Sequence, residues 1–209
     1  MIVSTMSNEE VVKELLSDVD IVTRKAEYTA DGLRRALMKT KDFPFIKAYD
    51  YVTPKTKNKW IYIVDIKSKK HEIFVMPVNY HYTNIGLRAA LVTENKEVVF
   101  YTGHFFSRYI EREGIDILSP VDKMKDFFLN NPIINYTRGS KLEEGVYEII
   151  GAVKTGVVLG LSMGWNLMIC NTYLSNEMLK GDQTLIAREL KNELDHFMAI
   201  RDARIIKPY

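Results

Sequence analysis

The segment from Trp60 to Thr102 places the strongest constraint on the fold, because strand-like stretches follow one another there with only short connections. β-Branched and aromatic residues recur between turn signals at 60–66, 72–79, 86–93 and 97–102. Short connections join antiparallel strands, since a parallel crossover needs about a dozen residues or more. The sequence therefore predicts an antiparallel meander over 60–102.

Helical patterns surround this meander. The first predicted helical region covers 7–41; it begins at Ser7, which has Glu10 three residues later as in a capping box, and it ends before Pro44. Further helices are predicted over 104–114, 121–129 and 183–203.

The stretch 145–173 is again strand-like and predicts a hairpin region. No internal repeat or Pro/Gly/Ser-rich linker divides the chain, so a single domain over 1–209 is expected. The predicted fold is a single α+β domain. Its antiparallel sheet has about six or seven strands, helices pack on one face, and the N- and C-terminal regions are helical.

Composition narrows the class of protein. With 46% hydrophobic and 27% charged residues in 209, the chain resembles ordinary globular proteins rather than disordered ones. A net charge of +2 does not indicate general nucleic-acid binding, so any basic surface is expected to be local.

No window approaches the ~18 apolar residues of a membrane-spanning helix. Without a signal-like start, the expected location is cytoplasmic, with no membrane partner. Cys170 lies in an apolar run and predicts a buried free thiol.

Potentially reactive side chains gather between Tyr101 and Gly114. At about 100° per residue, a helix there turns one polar side outward and buries an apolar one. The polar side carries His104, Ser107, Arg108, Glu111 and Arg112, and the apolar side carries Phe105, Phe106, Tyr109 and Ile110.

This polar face has the residue types of a metal-independent phosphodiester-cleaving site. His104 would act as general acid or base, Arg108 and Arg112 would bind phosphate, and Glu111 would orient or deprotonate. A solvated helix face has the same pattern, because Arg108 and Glu111 are spaced i,i+3 and can form an ion pair. The sequence leaves both interpretations open.

The run from Thr102 to Arg112 reads His-x-x-x-Arg-x-x-x-Arg directly after a predicted strand. It resembles the short helical motif of some small toxin-type domains in the barnase, colicin and RelE class of metal-independent ribonucleases, in which helices pack on an antiparallel sheet. The resemblance implies RNA cleavage with His104 and Arg108 near the scissile phosphate.

A second candidate is a basic, aromatic surface around the first predicted hairpin. Its aromatic ring would stack on a base while the lysines contact phosphates, as in single-strand nucleic-acid binding. Lysines also protect edge strands from aggregation, which is the simpler explanation. The residues are Lys57, Lys59, Trp60, Lys69 and Lys70.

Three further sequence features bear on the chemistry. His81 lies in a polar and aromatic connection and could approach His104 to form a two-histidine site, although nothing in the sequence shows this. Gly160-Leu161-Ser162-Met163-Gly164 spells Gly-x-Ser-x-Gly, but a hydrolase elbow needs a strand-to-helix turn and the flanks here are strand-like. No ligand spacing or phosphate-binding glycine pattern is present, so neither a metal nor a cofactor is predicted.

The C-terminal helix carries a narrow apolar stripe that predicts packing across the sheet or against a second chain. Its residues are Ile186, Leu190, Leu194, Phe197 and Arg201. Two classes of function follow. The first is a non-enzymatic binding or assembly module, with a homodimer formed through this helix. The alternative is a ribonuclease-like domain that acts on RNA through the polar face of 104–114.

Overall fold

The computed structural model describes residues 1–68, 70–164, 166–179 and 182–203. The α-helices are α1 (Asn8–Thr40), α2 (Gly103–Glu113), α3 (Pro120–Asn130) and α4 (Asp182–Ala203), and a short 3-10 helix covers Asn176–Met178. The strands are β1 (Phe45–Val52), β2 (Lys59–Ile66), β3 (Phe74–Thr83), β4 (Gly86–Val92), β5 (Val98–Thr102), β6 (Asn135–Glu143), β7 (Val146–Ala152), β8 (Gly156–Met163) and β9 (Leu167–Ser175).

The strands form one mixed sheet in the order β1-β2-β3-β4-β5-β9-β8-β7-β6. Two antiparallel meanders, β1–β5 and β6–β9, meet at a parallel pair in which Tyr101 of β5 lies beside Cys170 of β9. Within the described residues the sheet therefore has nine strands and one parallel pairing. The prediction of α+β class is confirmed, whereas the prediction of six or seven strands in a purely antiparallel sheet is wrong.

Both errors have a physical cause. The unpredicted strands β1 and β6 lie at the two edges of the sheet, and most of their residues are partly or fully exposed. They lack the regular apolar alternation by which a half-buried strand is found. The parallel pairing joins residues about 70 positions apart, and hairpin rules apply only to neighbouring strands.

Helices cover both faces of the sheet rather than one. Neighbouring residues of a strand point to opposite faces. Phe100 packs in a cluster with α1, whereas Tyr101 packs in the large cluster with α2 and α3. On β7, Ile150 packs in the cluster with α4, whereas Ile149 packs in the α2–α3 cluster. Helices α1 and α4 therefore lie on one face, and α2 and α3 on the other.

Helix α1 is a single helix of 33 residues. The predicted capping box is confirmed, since the Ser7 hydroxyl accepts from Glu10 N at 3.3 Å and the Glu10 carboxylate accepts from Ser7 N at 2.7 Å. The apolar residues Val11, Leu15 and Val19 are buried against the sheet.

A buried carboxylate fastens α1 to the β1–β2 connection. Asp18 is only 2% exposed, and it accepts hydrogen bonds at 2.7 Å from both Thr56 Oγ1 and Asn58 Nδ2. Asn58 Oδ1 in turn accepts from the backbone N of Ile2 at 2.6 Å. These bonds satisfy the polar groups that the packing of α1 takes out of water.

None of the helices in the described part of the chain is long and apolar enough to cross a membrane.

Candidate functional site

The polar face of α2 is on the surface, as the sequence predicts. The Thr102 hydroxyl caps the helix by accepting from Phe105 N at 3.2 Å, and Phe105, Phe106 and Tyr109 anchor the other side in the core. His104 is exposed in the first turn. The helix thus has the amphipathic orientation that its residue spacing predicts.

On this face Arg108 contacts two of the other predicted catalytic side chains. Arg108 donates through Nε to His104 Nε2 at 3.4 Å and through Nη1 to Glu111 Oε2 at 2.8 Å. Among the described residues, no side chain from another element hydrogen-bonds to His104. Arg112 instead donates to the backbone oxygen of Tyr173, so it fastens α2 to β9. The face resembles a solvated, ion-paired surface.

The predicted nucleic-acid residues are dispersed. Lys57 and Lys59 are exposed at one end of β2, whereas Lys70 is exposed beyond its other end. Because a strand rises about 3.3 Å per residue, the two ends of β2 are more than about 20 Å apart. Trp60 is 0% exposed and packs beneath α1, so its ring is not accessible to a base. Lys69 lies outside the described residues.

His81 and His104 lie on opposite faces of the sheet. The ring of His81 meets Phe100 edge-on at 6.4 Å between centroids, on the face that α1 covers. His104 belongs to α2, which packs on the other face. The two-histidine site considered from the sequence is therefore not assembled.

The Gly-x-Ser-x-Gly pattern lies within the β8–β9 region. Ser162 is fully buried on β8, and its hydroxyl donates to the Gly164 oxygen at 3.4 Å. A Cβ atom at Gly160 would overlap the backbone oxygen of Ile169, at a β-bulge between β8 and β9. Close approach of two strands explains the glycine.

The structure brings together a polar pair that sequence inspection did not combine. His81 on β3 and Arg88 on β4 are register partners, and Arg88 also lies opposite Thr102, the last residue of β5. Side chains paired in this way share one face of the sheet. That face lies beneath the first turn of α1, which contributes Asn8.

His81 is 8% exposed, and only one of its ring nitrogens is satisfied. Nδ1 lies 3.0 Å from Asn79 Oδ1, while Nε2 is buried and has no hydrogen-bond partner among the described residues. Burial, together with the smaller effect of the positive charge of Arg88, lowers the pKa of His81 to about 4. The imidazole is therefore neutral at physiological pH.

Arg88 is a half-buried cation next to this histidine. Its guanidinium carbon lies 3.7 Å from the centre of the Phe100 ring, and Nη1 donates to Asn8 Oδ1 at 2.8 Å. Within the described residues no carboxylate forms an ion pair with it. Burial lowers the pKa of Arg88, yet a guanidinium remains charged in proteins.

In the described part of the chain, Arg88 therefore has no carboxylate counter-ion and one ring nitrogen of His81 has no hydrogen-bond partner. Such a pair is suited to hold an anion, because a partly desolvated guanidinium binds oxyanions strongly. The sequence did contain one signal: Arg88 interrupts the apolar residues of a predicted strand. Its neighbour across the sheet became apparent only from the pairing of β3 with β4.

Comparison with family models, curated proteins and solved structures found no match to this chain. Its function is therefore inferred from the geometry of its own residues.

Proposed function

We propose that this protein is a binding module that holds an anionic ligand at Arg88 and His81. The observation that supports the proposal most strongly is the environment of Arg88. The guanidinium stacks on Phe100, and the one hydrogen-bond acceptor it contacts among the described residues is the neutral amide oxygen of Asn8. A cation removed from water is normally paired, because burial of an isolated charge is costly.

An anion would replace Asn8 as the acceptor for Arg88. Asn8 Oδ1 carries no net charge, so an anionic oxygen in its place would form a stronger, charge-assisted bond. The first turn of α1 also contributes backbone N–H groups, although Glu9 and Glu10 lie in the same turn and oppose an anion. Arg88 is thus the residue on which binding depends.

The experiment is calorimetric titration of the purified protein with inorganic phosphate, for the natural chain and for Arg88→Met. Methionine keeps the apolar stem over Phe100 and removes the charge. The matched control is Arg108→Met, since Arg108 is an exposed arginine paired with Glu111. We expect phosphate to bind the natural chain and the control and not Arg88→Met. Equal binding to all three proteins would reject the proposal.

A second proposal is assembly of two copies through α4. Leu190 and Leu194 are buried in a cluster with Ala152 of β7, as expected for part of the predicted stripe. Ile186, Phe197 and Ile200, however, remain 36%, 51% and 42% exposed. The described side chains of α4 do not include Arg201.

These exposed residues are aligned on the helix. Ile186 and Phe197 are about three turns apart, and Ile200 follows within about one more turn, so the three side chains share one side. Burial of such a stripe against its copy would remove apolar surface from water.

Sedimentation equilibrium of the natural chain and of Phe197→Glu tests this assembly. We expect the natural chain to dimerise and the variant to be monomeric, with Leu142→Glu, 56% exposed on β6, as the control that still dimerises. A natural chain that is monomeric at high concentration would reject the second proposal and leave the first untouched.

A further inference from the structure

The hydrogen bonds around His81 determine which of its ring nitrogens carries the proton. Asn79 Nδ2 donates to the backbone oxygen of Lys59 at 2.9 Å. Of the two ends of an amide side chain only the NH2 group can donate to a carbonyl oxygen, so this bond fixes the orientation of the Asn79 amide. Its other end, Oδ1, must therefore face His81.

Asn79 Oδ1 is an acceptor, and so His81 Nδ1 must be the donor in the 3.0 Å bond between them. A neutral imidazole has one N–H, which leaves Nε2 with its lone pair. Nε2 is buried and unpartnered among the described residues. The lone pair of Nε2 consequently requires a hydrogen atom from the group that binds it.

The two groups make different demands on one ligand. Arg88 can only donate, so it requires an oxygen with negative charge, whereas His81 Nε2 accepts and requires a hydroxyl hydrogen. We infer that the ligand is an oxyanion that keeps a hydroxyl hydrogen, such as hydrogen phosphate or a hydroxycarboxylate. This inference rests on the proposed anion-binding function and adds the hydroxyl as the basis of selectivity.

Two pairs of anions measure the contribution of the hydroxyl hydrogen to binding, because the members of each pair differ chiefly in that group. Hydrogen phosphate and sulfate have the same shape and nearly the same charge at neutral pH, but only phosphate carries a hydrogen. Lactate and propionate differ by one hydroxyl group. A site that bonds a hydroxyl discriminates against the analogue without it, since its own polar group would be left unpaired.

We expect the natural chain to bind phosphate at least about tenfold more tightly than sulfate, or lactate at least about tenfold more tightly than propionate. The pair that shows the difference identifies the source of the oxyanion. In His81→Leu the preference should disappear while weak binding through Arg88 remains. His104→Leu, which alters an exposed histidine on the other face, should keep the preference.

Nitrogen-15 NMR of the natural chain provides a measurement that needs no variant. On addition of the preferred anion, His81 should keep Nδ1 protonated and Nε2 unprotonated. Equal affinity within both pairs, or protonation of Nε2 on binding, would overturn the inference while leaving anion binding intact. Failure of all four anions to bind would reject the proposed function itself.

Discussion

His81 and Arg88 are partners across β3 and β4, and both contact the ring of Phe100 on β5. Arg88 lies over the face of that ring, with its guanidinium carbon 3.7 Å from the centre, and His81 meets it edge-on. A neutral imidazole can lie next to a cation in this position. Protonation of His81 is disfavoured, because it would place two positive charges side by side.

The pH dependence of stability follows from this arrangement. The folded-state pKa of His81 is lowered to about 4 from 6.5, so the unfolded chain binds the proton more readily between these values. Stability should therefore fall as pH drops from about 6.5 towards 4, by up to about 3 kcal/mol from this group. Urea unfolding at a series of pH values measures the effect.

The variant His81→Leu should lose this part of the acid sensitivity, whereas His104→Leu should retain it. If the natural chain and His81→Leu lost stability in parallel on acidification, His81 would not be the buried neutral group described above.

The polar face of α2 should prove dispensable for folding. Replacement of His104 or Arg108 by alanine should change the free energy of unfolding by less than about 0.5 kcal/mol, because exposed ion pairs contribute little.

We also expect RNA to remain intact with the natural chain in the presence of chelator, since no other element hydrogen-bonds to His104 among the described residues. Cleavage that persists in chelator and disappears in His104→Ala would instead establish a metal-independent ribonuclease.

The buried carboxylate of Asp18 should be important for stability. Asp18→Ala leaves Thr56 and Asn58 without their acceptor, at an expected cost of about 3 kcal/mol in the free energy of unfolding. Asp20→Ala is the control, because Asp20 is 71% exposed and its ion pair with Lys96 is at the surface. Chemical denaturation should show a large loss for the first variant and under about 0.5 kcal/mol for the second. Similar losses for both would contradict the role of Asp18.

Glycine at position 160 should be required by the approach of β8 and β9. Gly160→Ala places a methyl group against the Ile169 oxygen, so we expect a loss of about 2 kcal/mol or more in thermal or urea unfolding. Gly32→Ala in α1 has open space around the new atom and should stabilise the protein by up to about 1 kcal/mol. A neutral Gly160→Ala would show that the two strands can separate at the bulge without cost.

Local patterns determined much of the secondary structure. The Ser7–Glu10 capping box, the amphipathic spacing of α2 and the short turns of the first meander depend on residues close together in sequence. Their physics is local, because caps, helix faces and hairpins involve neighbours within a few positions. These features could be predicted without knowledge of the rest of the chain.

Only the tertiary structure decided which strands pair and which polar groups meet. The parallel contact of β5 with β9 rests on packing of distant apolar residues such as Phe100 and Ile169, and no turn specifies it. The candidate site has the same origin: Asn8, His81 and Arg88 come from α1, β3 and β4. Burial under α1 leaves His81 Nε2 without a hydrogen-bond partner and Arg88 without a carboxylate partner among the residues that the structure describes. Desolvation depends on the assembled fold rather than on residue order, and so the sequence could not reveal it.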